Sequence, residues 1–143
     1  MLVRARERVE AAHVRFVQHD LRMPWPLADG AVDTVVGNLV LEHVEDLSHV
    51  YAEAARVLRP GGQLWLCELH PDRQRRGGQA QFTTPEGDTV RVAAYLHSVA
   101  EYLNGGIAAG FTLRRIGEWL ETDAPRTDPP RLLSVLFERV GTR

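Results

Sequence analysis

Hydrophobic and polar positions alternate between two periods along this chain. Thr34-Val35-Val36 is a short β-branched run that ends at Gly37. Leu47, Val50, Tyr51, Ala54, Val57 and Leu58 then recur at helical spacing and form one apolar face. Arg59-Pro60-Gly61-Gly62 stops that helix, because proline cannot continue it and glycine tolerates the positive φ of a turn. Gln63 to Leu69 is a mostly apolar run of strand length, the pattern of a strand covered on both faces in a parallel sheet. Asp33 to His70 therefore reads as strand, helix, turn and strand, a right-handed βαβ unit.

The flanking segments extend the alternation. Met1 to Ala12 reads as an amphipathic helix with Leu2, Ala5, Val9 and Ala12 inward, although no Ser, Thr, Asp or Asn caps it. Val14 to His19 reads as a strand with Val14 and Phe16 on one face, and Leu21 to Gly30 as a loop broken by Pro24-Trp25-Pro26. After His70, Pro71 to Gln79 is polar and arginine-rich and reads as a mobile surface loop. Gln81–Thr84 and Thr89–Val92 flank Pro85-Glu86-Gly87-Asp88, a hairpin signal. His97 to Ala109 is an expected helix with Val99, Tyr102, Leu103 and Ile107 inward, weakened by Gly105 and Gly106. Phe111 to Trp119 and Leu132 to Val140 are the last strands; no helix separates them, so an antiparallel pair is expected.

Composition narrows the chemistry. The 143 residues make one domain, 44% apolar and 25% charged. The net charge of −2 carries no nucleic-acid footprint. All 17 basic residues are arginine, which removes any lysine Schiff base. The single Cys67 excludes an internal disulfide and a cysteine metal cluster, fits a reducing cytoplasm, and reads as an inert thiol inside a strand. No apolar run reaches the roughly 20 residues of a membrane span. The six histidines are scattered, and no metal-ligand spacing is present.

FVQHDLRMPWPLADGAVDTVVGNLVLEHVEDL followed by ARVLRPGGQLWLCELH resembles the class I S-adenosylmethionine-dependent methyltransferases of the Rossmann-like, small-molecule type. Asp20 ends one strand, LADGAVDTVV follows about a dozen residues on, LEH follows that strand, and a helix ends in LRPGG before the next strand. The resemblance implies an α/β fold: a mostly parallel sheet flanked by helices, with an antiparallel C-terminal strand pair and an inserted hairpin. It implies a single domain over residues 1–143 in which 71–96 forms a substrate lid.

The family holds the donor's methionine end on a glycine-rich loop after its first strand, and the ribose hydroxyls on an acidic residue after its second. This sequence contains no G-x-G pattern, so the chain reads as N-terminally truncated, or as paired with another chain that covers the gap. The backbone N–H groups and helix dipole that would receive the donor's polar end are then missing. The chain alone is expected to bind the donor weakly or not at all.

The resemblance assigns S-adenosylmethionine as cofactor. Asp20 would accept from the adenine amino group, with the Leu21 N–H donating to a ring nitrogen; otherwise Asp20 is an exposed turn residue. Asn38 and Leu39 lie where open α/β sheets bind ligands, outside the carboxyl end of a strand. Their backbone would meet the donor's amino-acid end, unless they are a polar loop residue and a packed leucine.

Three residues are candidates for proton transfer. His43 carries an imidazole that could deprotonate a substrate, or else pack near a helix start. His70 ends a strand with Glu68 two residues earlier on the same side, so the carboxylate could raise its basicity; the pair could equally bond the following loop. His97, Tyr95 and Tyr102 line a lid or serve packing and capping.

The expected function is methyl transfer to a small-molecule acceptor. The alternative is a non-catalytic, methyltransferase-like partner subunit. A nicotinamide-dependent dehydrogenase is disfavoured because its glycine fingerprint is absent as well. The open sheet edge calls for a homodimer or a hetero-partner.

Overall fold

A computed structural model describes residues 2–9 and 11–141. A four-stranded sheet forms the centre, in the order β1-β2-β6-β5. It comprises β1 (Val32–Asn38), β2 (Leu58–Leu69), β5 (Phe111–Trp119) and β6 (Leu132–Arg139). β1 and β2 are parallel, and β6 runs antiparallel to both β2 and β5. Three of the four strands therefore point the same way.

Helix α2 (Leu47–Val57) forms where the apolar spacing placed it. Asp46 caps it by accepting from the Ser48 N–H at 2.9 Å. Leu47, Val50, Tyr51, Ala54, Val57 and the following Leu58 are all buried. Helix α4 (Val99–Ala108) opens on a capping box between Ser98 and Glu101. Its glycines do not break it. Gly105 sits over the Tyr51 ring and Gly106 over the Phe137 ring.

The core lies between these two helices and one face of the sheet, where Leu64, Leu66, Leu133, Val135 and Phe137 point. The opposite face leaves Val36 71%, Trp119 56% and Trp65 40% exposed. The apolar β2 run suggested cover on both faces. Alternation within it instead separates buried Leu64 and Leu66 from Trp65 and Cys67.

Several boundaries differ from the sequence reading. β2 starts at Leu58, directly after α2, and Arg59-Pro60-Gly61-Gly62 forms an irregularity within it: Val32 pairs with Leu58, but Thr34 with Gln63. A side chain on Gly62 would meet the Arg59 carbonyl at 2.8 Å and the Asp33 carbonyl at 3.0 Å, so glycine is required there.

Residues 14–19 form no strand, because none of the four sheet strands pairs with them. Helix α1 covers only Leu2–Arg8. Val9 and Ala12 are exposed, while Met1, Glu10 and the Leu2 side chain lie outside the described residues. Residues 71–75 form helix α3 (Pro71–Arg75) in place of a loop, with His70 as N-cap and Pro71 at its start. The hairpin is present as β3 (Gln81–Thr83) and β4 (Thr89–Arg91). Ile107, expected inward, is 52% exposed.

Candidate functional site

The carboxyl end of β1 runs into a loop held by the end of β2. Leu39 adopts a φ of 51°, a left-handed conformation unusual for leucine. Its N–H donates to the Cys67 carbonyl at 2.9 Å. The next two N–H groups, of Val40 and Leu41, both donate to Oε2 of Glu68, at 3.0 and 3.1 Å. A 3-10 turn, Leu41–His43, follows.

Leu21 and Asn38 share one cleft of about 340 Å3 beside β1, with Val35, Gly37 and Val40 in its wall. Asp20 precedes Leu21 and Leu39 follows Asn38 in the chain; of the four expected donor contacts, Leu21 and Asn38 line this cleft. Asp20 is exposed and takes bonds from Arg22, side chain to Oδ2 at 2.7 Å and backbone N–H to Oδ1 at 3.0 Å. These bonds hold its carboxyl near 2, below the ordinary range. The carboxylate is therefore ionised and remains open to a further donor. Leu21 also lines a second, larger cleft of about 530 Å3 with Val17, Trp25 and Leu27. Carboxylate, backbone and apolar walls suit the adenosine half of S-adenosylmethionine.

Arg56 of α2 positions this side of the crevice, and the sequence reading missed it. Its guanidinium donates to the carbonyls of Trp25 and Leu27, to Asp29 and to both Glu53 oxygens, at 2.7–3.0 Å. One planar fork thus fixes the loop that follows Asp20. Its position on the polar side of α2 carried no sign of this in the sequence.

The three proton-transfer candidates separate clearly. Glu68 is 1% exposed, with one oxygen committed to the loop N–H groups. Its Oε1 is buried without a partner. Burial raises its carboxyl to about 7, against the lowering effect of the Leu41, Val40 and Glu42 N–H groups. It cannot touch a substrate from there.

His70 is 2% exposed. Its Nδ1 accepts the Asp72 N–H at 3.2 Å, capping α3, so Nε2–H donates to Glu118 at 3.0 Å. Both ring nitrogens are used, and Glu68 is not the partner. The expected Glu68–His70 contact is therefore replaced by separate partners, the β1 loop for Glu68 and Glu118 with Asp72 for His70.

His43 differs from both. It is exposed, and its Nδ1–H donates to the Ala93 carbonyl at 2.8 Å. Nε2 is left as the basic nitrogen, 3.7 Å from Oε1 of Glu42.

Segment 71–96 is fastened next to His43. The Tyr95 N–H donates to the Glu42 carbonyl at 2.7 Å, and Gln74 Nε2 donates to Glu42 Oε2 at 2.9 Å. A recess of about 160 Å3 lined by Gln74, Gln79, Arg91, Tyr95 and Leu96 opens within this segment. Glu42, 3% exposed, joins the turn to Gln74 of α3 and to Tyr95; its place directly before His43 was the one sequence signal for it. Tyr102 is buried core, and His97 donates from Nε2 to the Val44 carbonyl at 2.7 Å. Among the described residues no three His, Cys, Asp or Glu are grouped to hold a metal, and no helix is long and apolar enough to cross a membrane.

Residues 1–66 match the family described as Methyltransferase domain. The demethylmenaquinone methyltransferase of Thermus thermophilus is 30% identical over 145 residues, covering 99% of this chain and 58% of that protein. The arsenite methyltransferase of Aquipseudomonas alcaligenes is 42% identical over 69 residues, 48% of this chain and 20% of that protein. This chain thus spans a fifth of one curated relative and under three fifths of the other. The crystal structure of an S-adenosylmethionine-dependent methyltransferase from Mesorhizobium loti superposes with a TM-score of 0.78 at 22% identity, over 97% of this chain and 76% of that one. Residues 1–66 are thus similar to the methyltransferase domain family, and the fold along the sheet is the one seen in that S-adenosylmethionine-dependent methyltransferase structure.

Proposed function

We propose that the chain serves methyl transfer from S-adenosylmethionine to a small-molecule acceptor, in the cytoplasm. The observation that carries this reading is the cleft shared by Leu21 and Asn38 outside the carboxyl end of β1. Asp20 and the Leu21 N–H take the adenine edge, and the backbone of Asn38 and Leu39 takes the amino-acid end. Relatives named for demethylmenaquinone and arsenite support a small acceptor.

Bound S-adenosylmethionine supplies an electrophilic sulfonium methyl. The chain's own residues place the acceptor and handle its proton. Segment 71–96 forms the acceptor side. As an acceptor oxygen or nitrogen gains the methyl, its proton passes to Nε2 of His43. Nδ1 keeps its proton on Ala93, and the imidazolium charge faces Glu42. Placement in line with the methyl supplies much of the rate. We further propose that the uncovered sheet face pairs with a second copy of the chain.

The test of the donor crevice is titration of the 15N-labelled chain with S-adenosylhomocysteine. Weak binding is expected, with amide shifts confined to Asp20–Leu21 and Asn38–Leu41. Shifts elsewhere, or none at millimolar ligand, overturn the reading.

A further inference from the structure

Glu68 is a buried acid that no step of the proposed reaction uses, yet it touches the crevice loop twice. Its Oε2 accepts from Val40 N–H and Leu41 N–H, in a molecule where Leu39, immediately before them, is held at φ 51°. A left-handed leucine costs free energy and persists only where its surroundings fix it. Three consecutive N–H groups are pinned here by the end of β2: Leu39 by the Cys67 carbonyl, Val40 and Leu41 by Glu68. Without the last two, only the Leu39 N–H of the three is still pinned to β2, and Asn38 and Leu39 lose part of their fixed presentation to the cleft.

We propose that Glu68 is a positioning residue whose carboxylate latches the Asn38–Leu41 loop in the conformation that shapes the donor crevice, with the strength of the latch set by its own protonation. This rests on the donor-crevice reading for its functional meaning, but the latch itself does not require a ligand. The ionised carboxylate accepts stronger, charge-assisted bonds from both N–H groups; the protonated acid accepts weaker ones.

The titratable groups facing it are Glu42 from the 3-10 turn, Tyr51 from α2, Tyr102 from α4 and Cys67 on β2 itself. His70, with its partner Glu118 on β5, stands two residues along the same face. Of these, Glu42 is the one acid whose charge opposes ionisation of Glu68. His70 is the one group able to become cationic, and Glu118 sits against it. The Leu133 opposite Glu68 on β6 is apolar.

The experiment follows the amide resonances of Leu39, Val40 and Leu41 in the 15N-labelled chain from pH 5 to 9, in wild type, Glu68→Gln and Glu68→Leu. In wild type the Val40 and Leu41 protons are expected to move downfield together with one midpoint near 7, while Leu39, bonded to a carbonyl, moves less. Both variants lose that midpoint. Glu68→Gln keeps hydrogen-exchange protection at Val40 and Leu41 within a few-fold, whereas Glu68→Leu loses at least tenfold at those amides while α2 and β6 amides stay protected. Selective loss at the loop is what a merely structural core residue would not produce. If Glu68→Leu does not fold, disappearance of the shared midpoint in Glu68→Gln decides the matter.

Independent or absent titration of the two amides, or unchanged protection in Glu68→Leu, overturns the proposal. S-adenosylhomocysteine added afterwards separates the two claims. If it fails to bind the wild type, the donor-crevice reading falls while the latch titration stands. If it binds wild type and Glu68→Leu with equal affinity and the same Asn38 and Leu39 shifts, the positioning role falls while the crevice reading stands.

Discussion

The ring of Tyr51 occupies the space that a side chain on Gly105 would need. A Cβ built on Gly105 lies 2.6 Å from Cε2 of Tyr51. The ring cannot step aside, because Tyr51 is fully buried and its hydroxyl donates to the Tyr102 carbonyl at 2.7 Å. Gly105→Ala should gain up to about 1 kcal/mol of helix propensity. Overpacking costs about 1–3 kcal/mol and outweighs that gain. Urea unfolding is expected to show a net loss, and combining Gly105→Ala with Tyr51→Leu should recover part of it. A stabilised single variant would refute the contact.

This pair shows what sequence could and could not carry. Gly105 and Gly106 read as a weakness in α4, since a local rule sees only backbone entropy. The rings that require them lie on α2 and β6, far along the chain. The α2 face, by contrast, was legible in full, because the 3.6 period is a local property and burial followed it residue by residue. Residues 14–19 carried a strand pattern, but a strand needs a neighbour that a local pattern cannot supply.

The candidate site divides the same way. That Leu21 and Asn38 line one cleft followed from their order between elements. Which acid and which histidines are accessible did not, because alternation placed Glu68 and His70 on one face without saying that the face is the core side.

His43→Gln should lower methyl transfer to a hydroxyl or amine acceptor by about 100-fold or more, since general-base catalysis contributes on that order. Affinity for S-adenosylhomocysteine should change little, because the imidazole bonds Ala93 and not the β1 loop. Initial rates with a tritiated donor, beside a binding titration, separate the two effects. An unchanged rate would remove His43 from the mechanism.

Stability should fall as pH rises from about 4.5 to about 7. Glu68 has its folded value raised to about 7 by burial. Its contribution is therefore complete below the ordinary glutamate value and is lost as the group ionises in the folded state. The loss is on the order of 3 kcal/mol, since each tenfold change in proton affinity between the folded and unfolded chain is worth about 1.4 kcal/mol. Glu53 acts in the opposite sense. Arg56 and the Trp25 N–H hold it near 2, so its contribution disappears as pH falls from about 4.5 toward 2. Denaturant midpoints measured from pH 3 to 8 should peak near the acid side, and Glu68→Gln should flatten the limb above 4.5. A limb of the same slope in that variant would assign it to another group.

The sheet face bearing Val36, Trp65 and Trp119 should self-associate. Thr34, Val36, Trp65, Cys67 and Ser134 line a shallow recess on it without a charge, so two copies can face each other there with no like-charge opposition. Light scattering at increasing concentration should show a dimer, and Trp65→Glu should return the chain to monomer at the same concentration. A monomeric wild type at high micromolar concentration would rule the contact out.

Cys67 stands in the middle of that recess, half-buried on β2, and it is the chain's single cysteine. Burial pushes its thiol above the usual range, so it resists alkylation at neutral pH and yields to it in mild base. That makes it a built-in attachment point. A nitroxide placed there would read the spacing between two paired sheets, and a bulky maleimide would act as a wedge between them, with no engineered residue in the chain.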